Sequence, residues 1–404
     1  MKAATGSAVN LPLRAHRRSR IAGIDAARGL ALLGMIAIHV MPQATEDLEP
    51  TLIWRIAAGT SAALFAFLAG VGLALGSRTA RHSTVELAGA RAALAARAGL
   101  ILTLGMVLAL IDIPANIILA YYGVMFLLAV PLLGFGARAL SFLALGFATV
   151  GAVFSWLISD SLPGLGSYDP SLSTLFSDPG ATLSALLVTG VYPAIPWMAY
   201  LCAGMAVGKL DLRTLDCQLR LGITGAVLWL GSWATSALLL GPLGGKDALV
   251  HSTRHWLYPG EVDEILVFGP MEDVPMDSGW WQVTLAPHST TVFDLIHTLG
   301  IALLVLAAML ILGQRWGWFF RPLCIIGSMT LTLYSAHLLF LATGLGTNHP
   351  VASFWIQIGA ALLLALLWRN ISGFRQGPIE LLTSRISSAA RIKTLSRRTD
   401  SVGG

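Results

Sequence analysis

Arg20-Ile-Ala-Gly-Ile-Asp-Ala-Ala-Arg-Gly-Leu-Ala-Leu-Leu-Gly-Met-Ile-Ala-Ile-His39 opens the apolar part of the chain. The eleven positions from Arg28 to His39 return the two side chains to nearly one angle, about three helical turns apart. Asp25 lies one turn before Arg28 on the same face. A helix apolar enough to enter a bilayer therefore carries a carboxylate, a guanidinium and an imidazole in one stripe. Such groups are costly in hydrocarbon and face a partner or an aqueous path, so this stripe is the first candidate site.

The rest of the 404-residue chain has the same character, with 55% hydrophobic and only 12% charged residues and a mean hydropathy of +0.73. That composition excludes an ordinary soluble domain and indicates an all-α, polytopic integral membrane protein. Segments able to cross ~30 Å of hydrocarbon lie roughly at 22–42, 52–76, 96–113, 117–136, 139–159, 183–208, 219–241, 291–313, 322–343 and 350–369, about ten in one bundle. The expected organisation is a basic tail over 1–21, a membrane region over 22–241, an external loop over 242–290, a second membrane region over 291–376 and a basic tail over 377–404.

Orientation follows from the basic residues, which favour the cytoplasmic side. With Lys2, Arg14, Arg17, Arg18 and Arg20 inside, ten crossings also place Arg78, Arg81, Arg91, Arg97, Arg138, Lys209, Arg213, Arg220, Arg315, Arg321 and the second tail inside. Arg55, Lys246 and Arg254 fall outside with most of the acidic residues, including Glu46, Asp47, Glu49, Asp160, Asp169 and Asp178. Both termini are then cytoplasmic, and the expected location is the plasma membrane. The net charge of +5 reads as topology and attraction to anionic lipid in the bilayer, with no nucleic-acid signature. Cys202, Cys217 and Cys324 have no paired spacing, so neither a disulfide framework nor a metal site is indicated.

Gly72-Leu-Ala-Leu-Gly76 and Gly204-Met-Ala-Val-Gly208 are spacings that let helices approach closely, compatible also with a homodimer. Gly208-Lys209 lacks the spacing and hydroxyl of a phosphate loop. Pro193 and Pro196 break the sixth segment and free carbonyls that protein or cavity water must satisfy. The external segment 242–290, with Trp256, Trp280, Trp281, His251, His255 and His288, is long enough to fold over the outer mouth. An aromatic interface belt with a solvated acidic loop accounts for it equally well.

Several polar groups interrupt the apolar segments. His39, with an ordinary pKa near neutrality, suits general-base work, or serves as a hydrogen-bonded interface residue. Arg28 either reaches the inner surface or clamps a phosphate-bearing ligand entering from inside. In the ninth segment Thr330 and His337 share a face with Tyr334 beside them. Asp294 and His297 form an i, i+3 pair, in which the carboxylate either orients the imidazole or is a local structural partner.

Ile24-Asp-Ala-Ala-Arg-Gly-Leu-Ala-Leu-Leu-Gly-Met-Ile-Ala-Ile-His39 resembles the opening signature of the transmembrane acyltransferase superfamily, which includes heparan-α-glucosaminide N-acetyltransferase-like proteins and integral-membrane O-acyltransferases. Leu64-Phe-Ala-Phe-Leu-Ala-Gly-Val-Gly-Leu-Ala-Leu75, Tyr192-Pro-Ala-Ile-Pro-Trp197, Gly327-Ser-Met-Thr-Leu-Thr-Leu-Tyr-Ser-Ala-His337 and Gly377-Pro-Ile-Glu-Leu-Leu382 are similar to a bacterial branch with an uncharacterised conserved C-terminal domain. The resemblance implies transfer of an acyl group, such as acetyl, from cytoplasmic acyl-CoA to an extracytoplasmic hydroxyl or amine. The implied acceptor is a cell-envelope sugar or glycolipid, and acyl-CoA is a co-substrate with no tightly bound cofactor. It assigns donor contact to Arg28, with Asp25 beside it, and catalysis to His39. His337, Tyr334, Asp294, His297 and His288 are the supporting candidates. A transporter or lipid permease using the same ionisable groups as a proton or substrate path is the alternative.

Overall fold

The computed structural model describes residues 21–78, 83–166, 168–255, 257–270 and 274–400. The N-terminal basic residues Lys2 to Arg20, Arg81 and Trp256 lie outside the described residues. Among the described residues, eighteen α-helices occur in the order α1 (Ala22–Val40), α2 (Leu52–Ala57), α3 (Thr60–Gly76), α4 (Thr84–Leu108), α5 (Leu119–Ala129), α6 (Ala137–Gly146), α7 (Ala152–Ile158), α8 (Leu172–Ser177), α9 (Pro179–Ser184), α10 (Ala194–Val207), α11 (Leu215–Leu240), α12 (Gly245–Thr253), α13 (Pro259–Phe268), α14 (Val292–Arg315), α15 (Arg321–Gly327), α16 (Thr330–Leu341), α17 (Pro350–Ser372) and α18 (Pro378–Asp400). The protein is an all-α, polytopic membrane protein.

Helix length and composition by themselves account for fewer crossings than the ten expected. Among the described residues, seven helical stretches are long and apolar enough to span a bilayer, or up to nine if each of two bent pairs makes one crossing. The remaining expected segment, 117–136, forms the short helix α5 followed by the 3-10 turn Pro131–Gly134. These elements together rise only ~24 Å, below the ~30 Å of an ordinary hydrocarbon core. The expected break in the sixth segment is present. A π-helical turn at Ala185–Thr189 leads to a bend of 45° before α10, which begins after Pro193. A sharper bend of 79° separates α15 from α16.

Packing gathers these helices around α1, whose neighbours include α3, α14, α15, α16 and α17. Alanine and glycine make that possible: Ala26, Ala27 and Ala31 are essentially unexposed, and Gly29 lies against the Leu323 backbone in α15. Gly204 and Gly208 lie directly against the backbone of α3, the close approach their spacing suggests. Gly72 and Gly76 behave differently. A side chain at Gly72 would meet the Arg28 guanidinium at 2.5 Å, and Gly76 faces open space, so this pair makes room for the charge and not for a helix.

The described residues of the segment 242–290 are folded. Leu249, Val262, Val274 and Trp281 make a small separate core, and the Trp281 indole is fully buried with its N–H donating to Asp277 Oδ1 at 3.1 Å. Trp54 of α2 and Trp156 of α7 donate to the carbonyls of Val267 and Pro275, at 3.0 and 2.9 Å. Trp281 is therefore no interface-belt residue; the loop is a cap latched to the bundle by indole hydrogen bonds. The chain leaves this cap through His288 and Thr290, both in the left-handed region at φ 59° and 55°. For residues other than glycine this is a strained conformation, of the kind held at functional sites.

Candidate active site

Two cavities lie along α1. The first, of about 1240 Å³, is lined by Asp25 and Arg28 together with Arg78, Arg97, Lys209 and Arg213. We call it the inner cavity, after the side to which the charge pattern assigns its cations. Arg28 Nη1 lies 3.8 Å from Asp25 Oδ1, and Nη2 points to the Leu68 carbonyl at 3.5 Å. The Arg97 guanidinium rests 5.5 Å from the centre of the Phe126 ring. Arg78 and Lys209 have structural duties as well. Arg78 donates to the carbonyls of Gly208, at 3.0 Å, and Leu210, where α10 ends, and Lys209 reaches Leu133 and Phe135, where the α5 segment ends.

The second cavity, of about 220 Å³, surrounds His39 with Tyr192, His288 and Tyr334 among its lining. His39 Nδ1 and His337 Nε2 are 3.0 Å apart, and His337 Nδ1 is 2.6 Å from Gln357 Oε1. Gln357 Nε2 donates to Ser353 Oγ at 3.1 Å, one turn earlier on α17. With the Gln357 amide oriented as this chain has it, donor and acceptor logic gives the tautomers. The Gln357 carbonyl oxygen only accepts, so His337 Nδ1 carries its proton. His337 Nε2 is then an acceptor in the neutral ring, and His39 Nδ1 must donate to it. His39 Nε2 is left with the lone pair. The two rings are almost coplanar, at 4°, as an in-plane imidazole relay requires.

Gly59, with φ 69°, lies beside the His288 backbone before α3, and His288 makes an edge contact with Tyr192 at 5.6 Å between ring centres. Burial lowers its pKa from 6.5 to about 4, so it is neutral at physiological pH. Its Nδ1 is buried with no hydrogen-bond partner among the described residues. In the external loop before α8, Asp169 Oδ2 accepts the Ile117 N–H at 2.9 Å, and burial raises its pKa to about 6.

The other sequence candidates separate. Asp294 does not orient His297: its Oδ2 accepts from the Thr290 N–H at 3.3 Å, while His297 Nδ1 pairs with Ser232 Oγ at 3.2 Å on α11. Neither lines the outer cavity. Asp294 instead braces the strained turn that follows His288. Thr330 and His337 also part, since Thr330 lines the inner cavity while Tyr334 lines the outer one and His337 bonds to His39. The exposed His251 and His255 lie away from both cavities.

Gln357 was overlooked in the sequence, although a glutamine inside an apolar span is itself a signal. Glu380 was also overlooked, because it follows the last crossing. Its carboxylate accepts from the backbone N–H groups of Leu331, at 2.7 Å, and Thr332, at 3.2 Å, and from Thr332 Oγ1 at 2.5 Å. It thereby caps α16, the helix that carries His337, from outside the bundle. Gly377-Pro378-Ile379-Glu380 now has a local meaning. Gly377 clears Thr332, Pro378 starts α18, and Glu380 makes the cap.

No curated protein matches the chain. Residues 20–237, more than half of the chain, match the family described as heparan-alpha-glucosaminide N-acetyltransferase, catalytic. The match contains Asp25, Arg28 and His39 and ends before α14 to α18 supply His337, Gln357 and Glu380. With a half-buried imidazole at one end of its first span and a basic cavity at the other, the chain belongs to the heparan-α-glucosaminide N-acetyltransferase catalytic family, a family of membrane-embedded acetyltransferases.

Proposed function

We propose that the protein transfers an acetyl or related acyl group from cytoplasmic acyl-CoA to a hydroxyl or amine on an extracytoplasmic acceptor, a cell-envelope sugar or glycolipid. The observation that carries this reading is the His39–His337–Gln357 relay, which leaves a basic lone pair on His39 Nε2 beside the outer cavity. Arg28 and Arg97 in the inner cavity hold the phosphate-bearing end of the donor, for which paired guanidiniums are well suited. Eleven residues of α1, or ~16 Å of rise, separate the two functions. The long pantetheine arm of CoA carries the thioester across that interval, so charge recognition and chemistry occur at different places. This reading keeps the even number of crossings that the charge pattern asks for, with both termini in the cytoplasm of a plasma-membrane protein.

At the thioester, His39 Nε2 takes the proton of the acceptor O–H or N–H as the acceptor attacks the acyl carbonyl carbon. The carbon–sulfur bond breaks, the thiolate of CoA leaves, and the proton passes from His39 to that sulfur. The same lone pair permits an acyl-histidine intermediate, formed by attack of Nε2 with loss of the thiolate. Acid quenching of a single turnover with labelled acetyl-CoA, without acceptor, separates the two routes by the presence or absence of protein-bound label.

The direct test uses purified protein in nanodiscs with acetyl-CoA and extracted envelope glycans and glycolipids. CoA release coupled to mass gain of an acceptor supports the assignment. Solute movement into liposomes without consumption of acetyl-CoA overturns it in favour of transport.

A further inference from the structure

The stretch after the last crossing has the composition of a basic solvated tail, yet α18 forms part of the inner cavity. It is anchored at its start by Glu380 on the N-terminus of α16 and by the Ile379 N–H, which donates to Thr332 Oγ1 at 3.1 Å. Farther on it packs against α4, where Gly89 lies against Arg391 and Leu395. Between these anchors, Ser384, Ser387 and Ser388 line the cavity. Their i, i+3, i+4 spacing places them on one side of the helix.

Ser387 Oγ is buried with no hydrogen-bond partner among the described residues. A buried hydroxyl left in that condition costs stability, and nothing in the packing of α18 uses it. The same cavity is lined by Arg28, Arg97 and Arg213. A ligand that satisfies both walls presents several anionic oxygens to guanidiniums on one side and to hydroxyl donors on the other. A phosphorylated nucleotide has that chemistry, while an apolar chain offers the hydroxyls no acceptor and a neutral sugar brings no charge to the guanidiniums.

Resting on the donor reading above, we infer that the serine face of α18 binds the phosphate-bearing nucleotide end of acyl-CoA. The tail helix is therefore a wall of the donor site, and it lies outside the part of the chain that the family match covers. Hydroxyl donors add direction to the charge supplied by the arginines, because each O–H aims at a particular oxygen. Glu380 is a positioning residue here: its bonds to α16 hold the serine face in register with the cavity.

The probe is coenzyme A, titrated calorimetrically into the full chain in nanodiscs, with pantetheine as the ligand lacking phosphate and nucleotide. Ser387→Ala removes no hydrogen bond among the described residues and relieves an unsatisfied hydroxyl, so its melting temperature is at or above that of the wild type. Its affinity for coenzyme A falls about tenfold, the effect expected for one hydrogen bond to a charged group. The triple variant Ser384→Ala, Ser387→Ala, Ser388→Ala binds more weakly still, while pantetheine binds all three proteins alike. Equal coenzyme A affinity in wild type and variants overturns the serine assignment and leaves the donor reading standing. An equal loss for both ligands also overturns it, since the nucleotide end is then not what the serines recognise. Wild-type protein that binds no coenzyme A removes the donor reading itself.

Discussion

The two ends of α1 terminate in cavities of different kinds. The inner one, about 1240 Å³, is wide and lined by arginines, a lysine and carboxylates; the outer one, about 220 Å³, is narrow and lined by imidazoles, tyrosines and backbone turns. Size and charge suit the first to gather a large anion from water. The second has little charge but fixed proton positions, set by a relay that starts at Gln357. The proposed function divides recognition and chemistry along one helix, and α16 spans the same two cavities, with Thr330 at the inner one and Tyr334 at the outer. In the proposed function this division accounts for Arg28 and His39 sharing a face without touching, one for each end of one long substrate.

The sharpest break in the comparison comes from His39. His39→Ala is expected to lower acetyl transfer by ~10²–10⁴-fold, the usual worth of a general base, with coenzyme A affinity retained by calorimetry. Full transfer in folded His39→Ala protein removes the outer cavity as the place of reaction. A smaller loss, roughly tenfold to a hundredfold, is expected for His337→Ala or Gln357→Ala, because the base survives while its tautomer is no longer held. Gln357→Glu keeps an acceptor opposite His337 Nδ1 and is expected to retain more activity than Gln357→Ala. The reverse order in steady-state rates would show that the relay does not set the protonation of His39.

The inner cavity is expected to respond in binding. Arg28→Ala should raise KM for acetyl-CoA about tenfold or more through loss of charge-assisted hydrogen bonds, and Arg28→Lys should restore only part of it because the planar fork is lost. Gly72→Ala should move KM in the same direction by a smaller factor, since its Cβ would press on the guanidinium that Gly72 now clears. A purely packing role for Gly72 instead predicts a lower melting temperature with KM unchanged.

The smallest effects concern pH and the external loops. Burial raises the pKa of Asp169 from 3.8 to about 6, so its contribution to stability is present at low pH and is lost as pH rises through about 6. Asp169→Asn keeps an acceptor for the Ile117 N–H without the charge. Its melting temperature relative to wild type should rise between pH 4 and pH 8, by scanning fluorimetry. His288 has the opposite sign. Its pKa is lowered from 6.5 to about 4, so its contribution is present at neutral pH and is lost as pH falls through about 4. A flat difference for Asp169→Asn would mean that its carboxyl group is better solvated than its burial indicates.

Much of the bundle was legible because hydrocarbon imposes a simple rule: apolar length marks helices and ionisable exceptions mark sites. Residues Asp25, Arg28 and His39 stood out for that reason. The rule failed where a helix was short, as in α5, and where polar residues found partners far away in sequence. Asp294 and His297 sit one turn apart on α14 but turn to different neighbours, Thr290 and Ser232. Periodicity gives the shared face of a helix but not the identity of what packs against it.

Composition and spacing alone established an all-α membrane protein and a polar stripe along its first span, because the cost of burying charge in lipid is local and sequence-wide. Tertiary structure alone decided that His39 meets His337, that Gln357 sets their protons, that Gly72 clears Arg28 and that Glu380 reaches back to cap α16. Those contacts join residues as much as 298 positions apart. They depend on helix packing and on the pairing of buried donors with acceptors, both of which are properties of the assembled bundle and not of any one segment.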